Sequence, residues 1–173
     1  MNEPELYFRE NFLENPNELL DFFREGVDWD ERMKARKTAS FGISYDYSGI
    51  TYSQKEMLPE LVPICERIQQ EIGFLPNNCL MNYYPDGHST MGFHSDSTDE
   101  LMEDTGVVIV SLGSSRYISF RSKLDSKIKF KYLLNSGGLL YMQNEIQAQW
   151  MHAIPKDPAA SERISLTFRW IIK

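Results

Sequence analysis

Histidine is scarce in this sequence and cysteine nearly absent: three His (His88, His94, His152) and two Cys (Cys65, Cys79) stand among 173 residues. Two cysteines without C-x-x-C spacing exclude a disulfide framework and a zinc knuckle. One falls in a helix-like segment and the other in a strand-like one, which predicts buried, reduced thiols. No apolar run approaches the roughly 20 residues needed to cross a bilayer. The N-terminal MNEPELYFRE is acidic where a secretory leader is basic and then apolar. These absences predict a cytoplasmic protein, or a nuclear one in a eukaryote, with no membrane partner. Repeats, low-complexity tracts and linkers are absent too. With 42% hydrophobic residues the length suits one core. Residues 1–173 therefore read as a single domain, with helices and a substrate lid in 1–75 and a β core in 76–173.

Positive charge is also in short supply, at a net −7. Its distribution is uneven. Residues 1–30 hold nine acidic side chains against Arg9 and Arg24 and so carry the whole deficit, while the rest is balanced, 16 against 16. Phosphate binding needs clustered cations. Two clusters exist: Arg32, Lys34, Arg36 and Lys37, then Arg116, Arg121, Lys123, Lys127, Lys129 and Lys131. Solvated strand faces and a loop account for them equally well.

What is present is mostly β pattern. NPNELLDFFREG opens with Asn15 and Pro16, repeats Leu19, Leu20, Phe22 and Phe23, and closes on Gly26, which predicts a short amphipathic helix. PELVPICERIQQEIG predicts a second, with Leu61, Ile64, Cys65, Ile68 and Ile72 on one face and Gly73 at its end. From Cys79 onward come CLMNYY, TMGFH, VVIVSLG, RYISF, IKFKYLL, LLYMQ and RISLTFRWII, separated by turns such as PDG and NSGG. In IKFKYLL, Ile128, Phe130 and Tyr132 alternate with lysines, giving one buried and one wet face. The fold class expected is an all-β core with flanking helices (α+β), a sandwich or barrel with a protected interior.

In MGFHSDSTDE, His94 and Asp96 stand two apart behind the turn YPDG. On a strand, residues i and i+2 share a face and can reach one ion. His88, beside Gly87 in the turn, is expected to face solvent. His152, after QAQWM and just past a predicted strand, is the natural third ligand. Two histidines and one carboxylate with open coordination positions suit non-haem Fe(II) oxygenases. Alone, this pattern equally fits polar residues on an ordinary strand. SERISLTFRW adds Arg163, Ser165, Thr167 and Arg169 on one face, too polar for a barrel interior unless it holds an anion. Guanidinium pairs bind carboxylates in a bidentate way, so a dicarboxylic co-substrate fits. Asn82 and Tyr84 share a face on an earlier strand and offer further hydrogen bonds.

The chain resembles the AlkB family of Fe(II)- and 2-oxoglutarate-dependent dioxygenases over most of its length. The resemblance rests on NCLMNYYPDGHSTMGFHSD, VVIVSLGSSRYISFRSK, and WMH with RISLTFR, with weaker likeness in YDYSGITYS and NFLENPNELLDFFREGVDWDERM. It implies a double-stranded β-helix (jelly-roll) barrel, with His94, Asp96 and His152 as ligands of Fe(II). It implies 2-oxoglutarate as co-substrate alongside O2, with Arg163 and Tyr84 on the distal carboxylate and Asn82 and Arg169 near the other end. Ser165 stands where many members carry Asn. The implied reaction hydroxylates a C–H bond, commonly of an N-methyl group, and the product loses formaldehyde.

For repair members the implied partner is alkylated DNA or RNA, bound by a monomer. Tyr45, Tyr47 and Ser48 then belong to a lid with Tyr47 stacking on a flipped base. Arg36 and Lys37 would contact phosphates, with RSKLDSK as a second rail. One departure bears on the substrate: Ser97 and Thr98 stand between Asp96 and the acidic Asp99 and Glu100, where repair members run almost directly into acidic residues that read the base, leaving Asp99 as a candidate reader. Two other readings stay open. One is the same oxidation on a small molecule or protein side chain; the other is a binding module that kept the barrel without the chemistry.

Overall fold

A computed structural model describes residues 2–46 and 49–172. In chain order its elements are β1 (Tyr7–Arg9), α1 (Pro16–Gly26), β2 (Lys37–Gly42), α2 (Val62–Ile72), β3 (Asn78–Tyr84), β4 (Met91–His94), β5 (Gly106–Gly113), β6 (Arg116–Ser122), β7 (Lys129–Leu134), β8 (Leu139–Gln143), α3 (Asn144–Gln149), β9 (Trp150–Ile154) and β10 (Arg163–Arg169). A six-stranded sheet runs β1-β8-β5-β10-β3-β2 and a four-stranded sheet runs β4-β9-β6-β7. All the strand pairs are antiparallel. Among the described residues no ladder closes the two sheets into a barrel, so the expected barrel is an open jelly roll with two facing layers.

The layering follows from strand parity. On β10, Ile164, Leu166 and Phe168 join the core beneath the helices, with Phe23 of α1 and Ile68 of α2. The alternate residues, Arg163, Ser165, Thr167 and Arg169, face the small sheet and line a pocket. Both faces are covered, so every residue of β10 is buried. A second core between the sheets contains Leu80, Ile109, Ile118, Phe120, Leu140 and Trp150. Fully burying one such side chain stabilises the fold by roughly 1.5–3 kcal/mol. The pocket is thus a polar gap between two apolar layers.

The helices begin and end much as predicted. Pro16 opens α1, with Glu18 in its first turn and Arg24 in its last, complementing the helix dipole. α2 starts at Val62, later than PELV suggested, because Pro63 sits in its first turn and 59–61 form a separate turn. Gly73 ends it at φ 109, a left-handed conformation that favours glycine. Gly87, in the turn between β3 and β4, is needed for space. A Cβ there would lie 1.7 Å from the Asp157 carbonyl oxygen. The Asp157 N–H donates to the Gly87 carbonyl at 2.9 Å, which ties this turn to the β9–β10 loop. That tie fixes where β4 delivers His94. His88, next to it, is exposed as expected.

Candidate metal centre and co-substrate pocket

β4 and β9 pair so that His94 and His152 are direct cross-strand partners. Their rings lie 4.4 Å apart between centroids. Asp96 does not share the strand, as the i, i+2 argument assumed. β4 ends at His94, and Asp96 is turned back by the following loop. Two hydrogen bonds hold that loop: the Asp96 N–H donates to Gln147 Oε1 at 2.8 Å, and Ser95 Oγ donates to the Trp150 carbonyl at 2.7 Å. The outcome is still convergence. His94 Nε2 is 3.4 Å from Asp96 Oδ1, His152 Nε2 is 3.9 Å from Asp96 Oδ2, and one ligand atom from each of the three lies within 4.8 Å of the others. His94 Nδ1 lies 2.8 Å from the Gly92 carbonyl, which orients the ring with Nε2 toward the centre.

Electrostatics prepare these groups for a cation. Burial would raise the Asp96 carboxyl, but Arg169 and the two histidines outweigh it and hold the group well below the usual carboxylate range. Burial pushes His152 down to about 4, against the pull of Asp96. An anionic carboxylate and a neutral imidazole are the protonation states a metal requires.

The same shift makes a prediction for the metal-free chain. The unfolded imidazole takes up a proton below about pH 6.5, whereas folded His152 resists until about pH 4, so stability falls as pH drops through that window. Between pH 6.5 and 5 His152 should withdraw about 2 kcal/mol. Urea unfolding at pH 7 and 5 checks this: His152→Gln should lose less stability than the parent, and an equal loss would contradict the assignment.

Beyond the three ligand candidates, the pocket is lined by Leu80, Asn82, Tyr84, Met91, Ile109, Ile154, Arg163, Ser165, Thr167 and Arg169. β3 and β10 set opposite one another Arg163 and Tyr84, and Ser165 and Asn82. Arg163 is 1% exposed, donates through Nη2 to Ser111 Oγ at 3.0 Å, and lies 5.2 Å from the Tyr84 ring centre. Arg169 Nη2 is 3.5 Å from Asp96 Oδ2, and its guanidinium stacks 3.9 Å from the Tyr45 ring centre. Yet Nε and Nη1 of both arginines are buried without a hydrogen-bond partner. Leaving a buried charge uncompensated costs several kcal/mol. Asp96 is the carboxylate beside Arg169, and among the described residues no carboxylate pairs with Arg163, so this wall calls for additional negative charge. A dicarboxylate fits it, and a divalent ion fits the cluster beside it.

Other predicted site residues fall in unexpected places. Arg36 is not an exposed phosphate contact. Thr38 of β2 pairs with Asn82 of β3, which draws Arg36 inward. It is 5% exposed, and donates from Nε to Asn82 Oδ1 at 2.7 Å and from Nη1 to the Thr90 carbonyl at 3.0 Å. With its oxygen engaged, Asn82 is left its amide N–H groups to offer a ligand. Arg116, grouped by sequence with a basic cluster, is fully buried too. It donates through Nη2 to the Ser89 and Pro155 carbonyls and lies 5.5 Å from the Tyr84 ring centre. Lys37 reaches outward to Glu31 at 2.9 Å. Asp99 is exposed in a turn past the site.

Tyr45 is buried, and its hydroxyl bonds the Ser97 carbonyl at 3.5 Å. It therefore joins the lid-like segment to the loop that carries Asp96. Tyr47 and Ser48 lie outside the described residues. Cys65 and Cys79 are both buried and free, and burial pushes the Cys65 thiol up to about 12. Sequence reasoning missed Gln147, because its role depends on α3 being a helix. At six residues α3 is too short to show periodicity.

Among the described residues no helix is long and apolar enough to cross a membrane. Comparison with known proteins matches residues 11–169 to the family model of the 2OG-Fe(II) oxygenase superfamily. The chain is 33% identical over 149 residues to the DNA oxidative demethylase ALKBH2 of Bos taurus, covering 79% of this chain and 53% of that protein. It is 29% identical over 179 residues to the alpha-ketoglutarate-dependent dioxygenase alkB homolog 3 of Rattus norvegicus, covering 92% and 61%. The chain thus spans between half and two thirds of these relatives' lengths. The solved structure of OsALKBH1 superposes with a TM-score of 0.72 over 98% of this chain at 16% identity, a likeness of fold. With the family model covering nearly the whole chain and the His-x-Asp and His groups brought together in a jelly roll, the chain belongs to the 2OG-Fe(II) oxygenase superfamily, in its AlkB family.

Proposed function

We propose that this chain is an Fe(II)- and 2-oxoglutarate-dependent oxidative dealkylase of N-alkylated bases in DNA or RNA. The observation that carries the chemistry is the cluster of His94, Asp96 and His152 beside two buried arginines with unmatched hydrogen-bonding capacity. When bound, Fe(II) and 2-oxoglutarate supply the oxidation, in which O2 converts the keto acid to succinate and CO2 and inserts its other atom into a substrate C–H bond. The chain's own residues position the partners. His94, Asp96 and His152 would hold the ion, and Gln147 fixes Asp96 through its backbone N–H. Arg163 and Tyr84 would take the distal carboxylate. Arg169, Asn82 and Ser165 would order the end nearer the ion. An N-methyl group hydroxylated there becomes N–CH2OH, which releases formaldehyde and restores the N–H.

The nucleic-acid substrate is supported by the relatives named as demethylases of DNA. A cytoplasmic setting accords with two free, buried thiols. Mass spectrometry of a methylated oligonucleotide incubated with Fe(II), ascorbate and 2-oxoglutarate tests the reading. The expected result is loss of the methyl mass with stoichiometric succinate and formaldehyde. Succinate without oligonucleotide demethylation would move the oxidation to a small molecule or protein side chain. No succinate from iron-loaded protein would leave a binding module.

A further inference from the structure

We propose that the outer face of the four-stranded sheet is a binding platform for single-stranded nucleic acid, carried by Arg121, Lys129 and Lys131 with Tyr117. This inference rests on the nucleic-acid reading above and extends it to a surface outside the pocket.

The four strands β4, β9, β6 and β7 contain no aspartate or glutamate, in a chain whose net charge is −7. Strand parity sorts their side chains. The face carrying His152, Phe120 and Ile118 is buried toward the other sheet. The opposite face carries Tyr117, Arg121, Lys129, Lys131 and Leu133. Lys129 and Lys131 are exposed, and Tyr117 and Leu133 are 40% and 41% exposed. Lys127 extends the cationic strip into the β6–β7 turn, also exposed.

The strip begins behind the two strands that carry the histidines. Arg121 pairs across the sheet with Met151, the neighbour of His152, and its guanidinium lies 4.1 Å from the ring centre of Phe93, the neighbour of His94. It also pairs with Lys129 on the other side. Lys131 Nζ lies 4.5 Å from the Tyr117 ring centre. Cations therefore run from the back of the strands that carry His94 and His152 to the free edge of the sheet. Lys129 and Lys131, two apart on one strand, are separated by about 7 Å, a spacing within reach of successive phosphates of an extended strand.

Charge complementarity identifies a polyanion, and the accessible ring selects among polyanions. A base can stack on Tyr117 only if it is unpaired, and aromatic side chains on open sheets are a recurring platform for single strands. A duplex offers this face phosphates alone.

The test is fluorescence anisotropy of the full chain with a labelled, unmethylated single-stranded 20-mer over a range of salt. Lys129→Glu with Lys131→Glu should raise Kd at least tenfold and lower the slope of log K against log salt by about 1.4, the loss of two contacts at about 0.7 each. Arginine at both positions should retain binding. Tyr117→Ala should weaken binding roughly fivefold or more with the slope unchanged. All these positions are exposed, and matching melting curves verify the fold. Unchanged affinity and slope in the charge-reversed protein would overturn the proposal. So would tighter binding of the duplex of equal length, or binding to phosphatidylserine vesicles without binding to the oligonucleotide. A methylated trinucleotide, too short to leave the pocket, separates this from the catalytic reading. Parent and charge-reversed protein should turn it over equally. If neither does, the dealkylase reading fails, while the anisotropy result still decides the platform.

Discussion

Asp96→Asn is expected to lower iron-dependent turnover at least ~100-fold, since groups that only orient ligands already cost 10–100-fold when removed. The substitution keeps the shape of the side chain and removes its charge. Two effects then act together. The ion loses an anionic ligand positioned 3.4 Å from His94 Nε2 and 3.9 Å from His152 Nε2. Arg169, with Nη2 3.5 Å from Asp96 Oδ2, keeps its charge without a counter-ion and repels the metal. Breaking a buried pair costs about 3–5 kcal/mol, against a total stability of about 5–15 kcal/mol for a folded domain. The variant, and Asp96→Ala likewise, should therefore remain folded while melting earlier. Titration with Mn(II) as an oxygen-inert stand-in, followed by succinate assays, checks it. Full activity in either variant would remove Asp96 from the site.

The chemistry was legible because its signals are local. His94-x-Asp96 spans three residues, and the even spacing of Arg163, Ser165, Thr167 and Arg169 puts them on one strand face in any sheet. Both patterns survived even though Asp96 turned out to lie beyond its strand, since the loop returns it to the same place. Less legible were β2 and α3. KTASFG lacks a run of branched or aromatic residues, and its strand is made by pairing with β3. Charge clusters were the weakest guide. Arg36 and Arg116 looked like surface cations beside Lys37 and Arg121, yet both are buried and bonded to backbone carbonyls of distant segments. A sequence gives the sign of a charge. Which side of the sheet it occupies depends on parity, and parity on where each strand begins. Lys129 and Lys131 followed their alternation outward, whereas Arg116, at the first position of β6, points into the layer.

Arg163→Lys is expected to raise KM for 2-oxoglutarate by roughly 10–100-fold, with kcat at saturating co-substrate changed far less. Lysine keeps the positive charge. Its charge still favours an anion, but the planar fork that can grip both carboxylate oxygens is gone. Each hydrogen bond to a charged group contributes about 1.5–3 kcal/mol, which at 1.4 kcal/mol per decade gives the stated range. The distal carboxylate does not take part in the oxidation, so its grip should act on binding more than on the chemical step. Arg163→Met should be worse, because methionine removes the charge together with the fork and leaves only the neighbouring Arg116, whose Nη2 is held by the Ser89 and Pro155 carbonyls. Succinate formation against 2-oxoglutarate concentration measures both variants. A second comparison isolates the contact: with a monocarboxylic 2-oxo acid lacking the distal group, parent and variant should become alike. If Arg163→Lys kept the parental KM, or if the two proteins still differed on the truncated keto acid, the unpartnered nitrogens of Arg163 would be serving something other than that carboxylate.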